Sequence, residues 1–300
     1  MMPCEVPNVD RVCLRWTIGN VRPRGFEMLR LSIACAAQLF GPQAHYVVCV
    51  NSIAVDDAQR RTGALPIDVE WRHIPLAEMP LFLRAHLDVG LCEGTGWKFA
   101  PLRLEDDRYE LALDNDCILW KLPDGIRRWL RSERGGVLAE DVTRCLGSFD
   151  AVCPPGAYNS GIRGLAPGCD WEGALHGALN EAHAEAGDRL QLFTELDEQG
   201  LQSAAMFRCD PLHLVSTREV SICSPFWPRS PAFGACGAHF VGMNSPHTAW
   251  DYYDRPADLW LDEHWARCRP RLYAIAGIAL PDERPNIGPL AADELERTAA

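Results

Sequence analysis

Between Arg11 and Val50 the chain carries the pattern of a strand, a helix and a second strand, and that order restricts its possible folds more than any other feature. Arg11 to Thr17 is a short β-rich run. Phe26, Leu29, Ile33, Ala37 and Phe40 then recur at three- and four-residue spacing, which predicts a helix with one apolar face. Gly41-Pro42 ends it. Tyr46 to Val50 is apolar without interruption, as expected of a strand covered on both faces. Two strands joined through a helix make a right-handed parallel crossover. Asp68 to Ile74 alternates through Val69 and Trp71 and reads as a further strand. Gly94 to Leu104 reads as a loop entering a helix, and Tyr109 to Leu113 as a strand ending abruptly at Asp114-Asn115-Asp116. Helices are predicted over Pro123 to Leu130, Ala174 to Ala186 and Glu198 to Phe207. After Ser224 the pattern breaks into Pro, Gly, Trp and Tyr with short strands.

The expectation is a single α/β domain over residues 1–280, with a mostly parallel central sheet flanked by helices and a loop-rich C-terminal part. Residues 281–300, polar and Pro-rich at the start, are expected to form a peripheral tail. With 300 residues and 47% apolar content the chain can bury a sizeable core. Lys plus Arg is 29 against 41 Asp plus Glu, a formal charge of −12. Such a chain does not track a phosphate backbone, so nucleic acid is not an expected partner. A single nucleotide remains open to it, because one bound cation reverses the local field. The 13 cysteines are scattered without a Cys-x-x-Cys pair, and most sit in apolar runs, such as Cys35 and Cys49. They read as reduced, buried thiols, which makes the expected location cytoplasmic. Met1 to Asp10 contains Glu5 and Asp10 and no apolar stretch, so no signal peptide is expected. No apolar run approaches the roughly eighteen residues of a transmembrane helix.

In open α/β sheets ligands bind beyond the carboxyl ends of the strands, where Asp114-Asn115-Asp116 is expected to lie. Residues i and i+2 of an extended chain point to one side, so Asp114 and Asp116 can share a hard divalent cation. Oxygen ligands favour magnesium or manganese over zinc. A solvated acidic turn would carry the same two residues.

Longer blocks surround the pair. Trp97 to Leu104 followed by Tyr109 to Asp116 resembles the GT-A glycosyltransferase block in which a basic residue precedes a helix and an apolar strand delivers Asp-x-Asp. Tyr158-Asn159-Ser160-Gly161-Ile162 resembles the segment that lines the donor sugar. Asp197-Glu198-Gln199-Gly200-Leu201 resembles the acidic segment near the reacting carbon, and His239-Phe240-Val241-Gly242 the His-x-x-Gly segment that supplies a third metal ligand. The order of blocks is similar to that of the retaining, family-eight-like enzymes, the glycogenin and bacterial galactosyltransferase group. The resemblance runs over roughly residues 12–250.

It implies a transferase that moves a sugar from a nucleoside-diphosphate sugar, with UDP favoured, to a glycan, lipid or protein acceptor. Asp114, Asp116 and His239 would hold Mn2+ or Mg2+, and Lys98, Asn115, Asn159, Ser160, Gly161 and Gly242 would line the donor. Asp197 and Glu198 would act at the reacting carbon, although acids also favour a helix N-terminus for its dipole. A histidine ligand implies loss of metal as the pH falls through about 6.5. The chain departs from the family where Ser245 replaces a lysine that grips the diphosphate and His247 replaces a tryptophan. That departure keeps a non-catalytic nucleotide- or glycan-binding protein in view. A haloacid-dehalogenase-type phosphatase also places Asp-x-Asp after an apolar strand, but here Cys117 follows where that type has Thr or Val. Trp227, Phe233, Trp250, Tyr252, Tyr253, Trp260 and Trp265 offer either an acceptor subsite or a core beneath the C-terminal part.

Overall fold

The structure, a computed structural model, describes residues 6–84, 86, 96–187, 190, 194–225, 233–243, 251–252 and 254–281. The predicted tail therefore lies outside the described residues beyond Pro281, as do Trp227, Ser245, His247, Trp250 and Tyr253.

The elements run β1 (Val12–Ile18), α1 (Pro23–Phe40), β2 (His45–Val50), α2 (Val55–Thr62), β3 (Glu70–His73), α3 (Leu81–Arg84), β4 (Tyr109–Asp114), β5 (Cys117–Leu119) and α4 (Asp124–Trp129). They continue as β6 (Gly136–Glu140), β7 (Tyr158–Leu165), α5 (Trp171–Ala186), α6 (Glu195–Met206), β8 (Leu212–Val215), β9 (Val220–Ile222), β10 (Gly237–His239), β11 (Asp251–Tyr252), β12 (Arg255–Pro256) and α7 (Ala257–Ala276).

Seven strands form the central sheet in the order β3-β2-β1-β4-β7-β6-β8. Only β7 runs against its neighbours, so the sheet is mostly parallel. Alternate residues of β1 and β2 enter different cores. Val12, Leu14, Trp16, Tyr46, Val48 and Val50 pack beneath α1, while Cys13, Val47 and Cys49 join the core under α5 and α6. Burial on both faces explains why β2 is apolar from Tyr46 onward.

Helix α1 is itself covered twice. Phe26, Leu29, Ile33 and Phe40 face the sheet, and Met28, Leu31, Ala34 and Cys35 face α7 and β10. Pro23 stands in its first turn, and Gly41 closes it at a φ of 65°, which suits glycine. α7 docks through Trp265 Nε1 and Tyr273 Oη, both donating to the Glu27 carboxylate at 2.7 Å. It is a 20-residue helix where sequence periodicity had suggested only short strands. Pro270 within it and a weak apolar face hide it from pattern reading. Among the described residues no helix is long and apolar enough to cross a membrane.

Other differences have local causes. Only one turn, Gly96–Phe99, forms in the stretch read as a loop entering a helix, because Pro101 follows. α5 starts at Trp171 because Asp170 accepts from Gly173 N at 2.9 Å. α6 starts at Glu195 because Thr194 and Asp197 cap it reciprocally. β7 lacks the residues that mark a strand because packing requires glycine. A Cβ on Gly164 would meet Val137 at 2.5 Å and the Trp129 ring at 2.8 Å.

Candidate metal and donor site

β4 delivers Asp114 at its carboxyl end, opposite Thr17 of β1. The chain then turns, so the strand alternation that suggested a shared face stops at Asp114, two residues short of Asp116. The turn itself brings the second carboxylate round. Asn115 holds it by donating from Nδ2 to the Gly25 carbonyl at 3.1 Å. A second, three-stranded sheet supplies the histidine. β5 leaves the turn and pairs antiparallel with β10, placing His239 opposite Cys117, and Phe240 N donates to the Asp116 carbonyl at 3.0 Å.

His239 Nε2 lies 3.1 Å from Asp116 Oδ1 and 3.5 Å from Asp114 Oδ2. The ligating atoms of these three residues all fall within 4.8 Å of one another. Asp116 and His239 are each 4% exposed. Two carboxylates and an imidazole, converging with only Asp114 still open to water, make a donor set that fits a divalent cation. Gly161 belongs to this construction for an unexpected reason. A Cβ there would meet His239 Cε1 at 2.2 Å, so the missing side chain makes room for the imidazole.

Lys98 lies beside the pair rather than on a solvated surface. Its Nζ is 2.8 Å from Asp114 Oδ1, 3.4 Å from Glu198 Oε2 and 3.5 Å from Ser160 Oγ. Burial alone would lower the Lys98 pKa, but Asp114 and Glu198 outweigh it and raise it. Burial would raise the Asp114 carboxyl, and Lys98 and His239 hold it well below the usual carboxylate range instead. For Asp116 and Glu198 burial prevails, and both pKa values rise. Burial would lower the His239 imidazole, yet Asp116 and Asp114 raise it to about 10. At neutral pH the ion-free site therefore holds two cations, Lys98 and His239, among its carboxylates.

The acidic pair divides. Glu198 turns inward to Lys98 and accepts from Gln202 Nε2. Asp197 accepts from Thr194 N at 3.1 Å and from Ser148 N at 2.7 Å, and so caps α6 and holds the Gly147–Phe149 turn. Asn159 donates to Asp141 at 2.9 Å, and its Oδ1 accepts from Gly161 N at 2.7 Å. Gly242 sits in the turn after β10 at a φ of 80°, and a side chain there would meet nothing among the described residues. The next residue's carbonyl accepts from Arg24 Nε at 2.6 Å, and Arg24 also pairs with Asp258 and Asp262.

Several residues at the site were not foreseen. Arg15 donates to the Ala100 and Pro101 carbonyls at 2.7 Å each and to the Lys98 carbonyl at 3.3 Å, clamping the segment that carries Lys98. Glu110 lies 3.4 Å from Arg15 and 3.6 Å from Arg163. A charged residue inside an apolar strand was the available signal for Arg15 and Glu110. Gln202 was visible as the residue four positions after Glu198 on one helix face. Arg15, Lys98, Asp114, Ser160, Arg163 and Gln202 enclose a cavity of about 10 Å³, room for one water. Phe233 and Trp265 pack against Phe240, which makes these two members of the aromatic group part of a core.

No family model matches the sequence, and no curated protein matches it either. Solved structures do. Mouse xyloside xylosyltransferase 1, in its apo form, is similar at 12% identity and a TM-score of 0.51, over 78% of this chain and 99% of that one. The galactosyltransferase LgtC, solved with donor and acceptor sugar analogues, aligns at 13% identity and a TM-score of 0.46, over 90% of this chain and 98% of that one. The mixed seven-stranded sheet, and its likeness to the xylosyltransferase, give this chain the GT-A fold.

Proposed function

We propose that the protein is a metal-dependent glycosyltransferase that moves a sugar from a nucleoside-diphosphate sugar, with a UDP-sugar favoured, to an acceptor hydroxyl. The observation that carries this reading is the convergence of Asp114 with the buried Asp116 and His239 at the carboxyl end of β4 in a GT-A fold. Manganese or magnesium held there would act as a Lewis acid for the departing diphosphate. Lys98 adds positive charge beside the same place. Glu198, buried and sharing Lys98 with Asp114, is the residue of the acidic segment that we assign to the reacting carbon. Asp197 acts through the position of α6. Asn159, Ser160 and Gly161 line the floor, and Asn115 and Gly242 shape the two turns that frame it. The transferase unit is taken to span 1–280, with 281–300 as its tail. The cysteines among the described residues are all free thiols, which supports a cytoplasmic location.

The test is a thermal-shift titration with UDP and GDP, with and without manganese. Lys98 and His239 are already paired with the site's own carboxylates, so an anionic diphosphate needs a further cation there. Stabilisation is therefore expected only with metal present, about 2.7 kcal/mol at a hundredfold excess over Kd. Full stabilisation in excess chelator would overturn the metal-bridged reading.

The histidine adds a pH signature. His239 carries a proton in the ion-free protein up to about pH 10, and a metal ion must displace it. Apparent manganese affinity is thus expected to climb about tenfold per pH unit between pH 6.5 and 8.5, with one proton released per ion. The dependence lies well above the pH of about 6.5 expected for an unperturbed histidine. His239→Ala should weaken binding and flatten the slope. Calorimetric titrations in buffers of different ionisation enthalpy measure both. A wild-type affinity that is level across this range would remove His239 from the ligand set. Without metal the same shift stabilises the fold at low pH, and that contribution is lost as the pH rises through about 10.

A further inference from the structure

At the other end of the sheet, β1 and β2 pair so that Cys13 stands directly opposite His45. Cys13 lies four residues before Thr17, the partner of Asp114, so the two ends are about 13 Å apart along the strand. The segment before β4 brings Glu105 to the same place. The sulfur of Cys13, a ring nitrogen of His45 and a carboxylate oxygen of Glu105 all lie within 4.8 Å of one another. We propose that Cys13, His45 and Glu105 form a zinc site, separate from the donor site, which ties the amino-terminal ends of β1 and β2 to the segment entering β4.

The donor set has the right chemistry. A thiolate and an imidazole select zinc over magnesium or manganese, and one carboxylate completes a common three-ligand set. Zinc bonds of about 2.0–2.3 Å place tetrahedral ligand atoms roughly 3.3–3.7 Å apart. Cys13 Sγ is 3.9 Å from His45 Nδ1. Glu105 Oε1 is 2.5 Å from the same nitrogen and must swing out by about 1 Å to share an ion with it.

The surroundings already orient the ligands. His45 Nε2 lies 2.9 Å from Glu70 Oε2, the carboxylate partner that fixes a histidine's tautomer so that the other nitrogen binds metal. Arg108 Nε is 2.6 Å from Glu105 Oε2, which leaves Oε1 to turn toward the ion. Cys13 is wholly buried, while His45 and Glu105 are partly exposed. An ion can therefore enter from the cleft of about 380 Å³ that His45 and Glu70 line with Tyr46 and Ile67. Its fourth position faces solvent. Binding releases the Cys13 thiol proton to water as the sulfur–zinc bond forms. Without an ion, His45 bridges Glu70 and Glu105, and the Cys13 thiol is only a weak partner of its ring.

Cobalt(II) distinguishes these accounts, because only a cysteine-containing site gives thiolate-to-cobalt charge-transfer absorption. The reduced, chelator-treated full chain is titrated with cobalt. One equivalent is expected to bring up this absorption, and zinc to abolish it. Cys13→Ser should eliminate the band, and Asp116→Ala, at the donor site, should leave it unchanged. Glu70→Gln, at a half-exposed position that leaves the sheet intact, should weaken cobalt affinity about 10- to 100-fold. No band in the wild type, a band that survives Cys13→Ser, or an unchanged affinity in Glu70→Gln would overturn the site.

Discussion

Asp116→Asn is expected to lower the kcat of sugar transfer by about a thousandfold or more while the protein stays folded. Asp116 is one of two carboxylates that converge with His239, and the turn after β4 holds it there by the Asn115 side chain and the Phe240 amide. Charge stabilisation by a bound metal ion is worth several kcal/mol in a transition state. A loss of about 4 kcal/mol is about three decades in rate. The fold should tolerate the change because asparagine has nearly the same shape. Initial rates with manganese, on a panel of sugars carried by the nucleotide that thermal shift selects, give the measurement, with circular dichroism and melting as controls. A folded variant within tenfold of the wild-type rate would exclude Asp116 as a ligand.

The second large effect concerns stability. Glu110→Ala is expected to cost about 3–5 kcal/mol, because it leaves Arg15 and Arg163 buried without their shared carboxylate. None of the three side chains is more than 2% exposed. Glu110 Oε2 also accepts from Leu104 N at 2.6 Å, so the loop between Lys98 and β4 loses an anchor as well. Lys98 should become misplaced, since Arg15 holds its segment through three backbone carbonyls. Urea unfolding midpoints measure the cost. If Glu110→Ala does not accumulate as folded protein, Glu110→Gln gives a milder version, since its amide oxygen can still accept from Leu104. A cost below about 1 kcal/mol for both variants would mean that the network is solvated and contributes little.

The parts of this protein legible in its sequence are those written in short-range patterns. β2 and α1 could be read because burial on a sheet and on a helix imposes different apolar periods. Asp114-Asn115-Asp116 stood out because a polar triplet after an apolar strand marks a carboxyl end, where sheets bind ligands. His239 and Glu198 were reached through the order of blocks along the chain, which no local pattern supplies.

Tertiary contacts settled the rest. The Thr194-x-x-Asp197 spacing marks Asp197 as the cap of α6, but nothing local turns its neighbour Glu198 to Lys98. One helical step of about 100° separates them, and the Gly147–Phe149 turn determines which side is the core. Gly161 reads as part of a turn, yet it is small because an imidazole from a strand far along the chain needs its space. Arg15, Glu110 and Arg163 come from three separate strands, and the one carboxylate faces both guanidiniums only once β1, β4 and β7 lie side by side. Cys13 and His45 look like an ordinary buried thiol and a strand-end histidine until parallel pairing sets them opposite each other. Periodicity records which face of an element is buried. It does not record what is buried against it, and the chemistry of this molecule depends on that second fact.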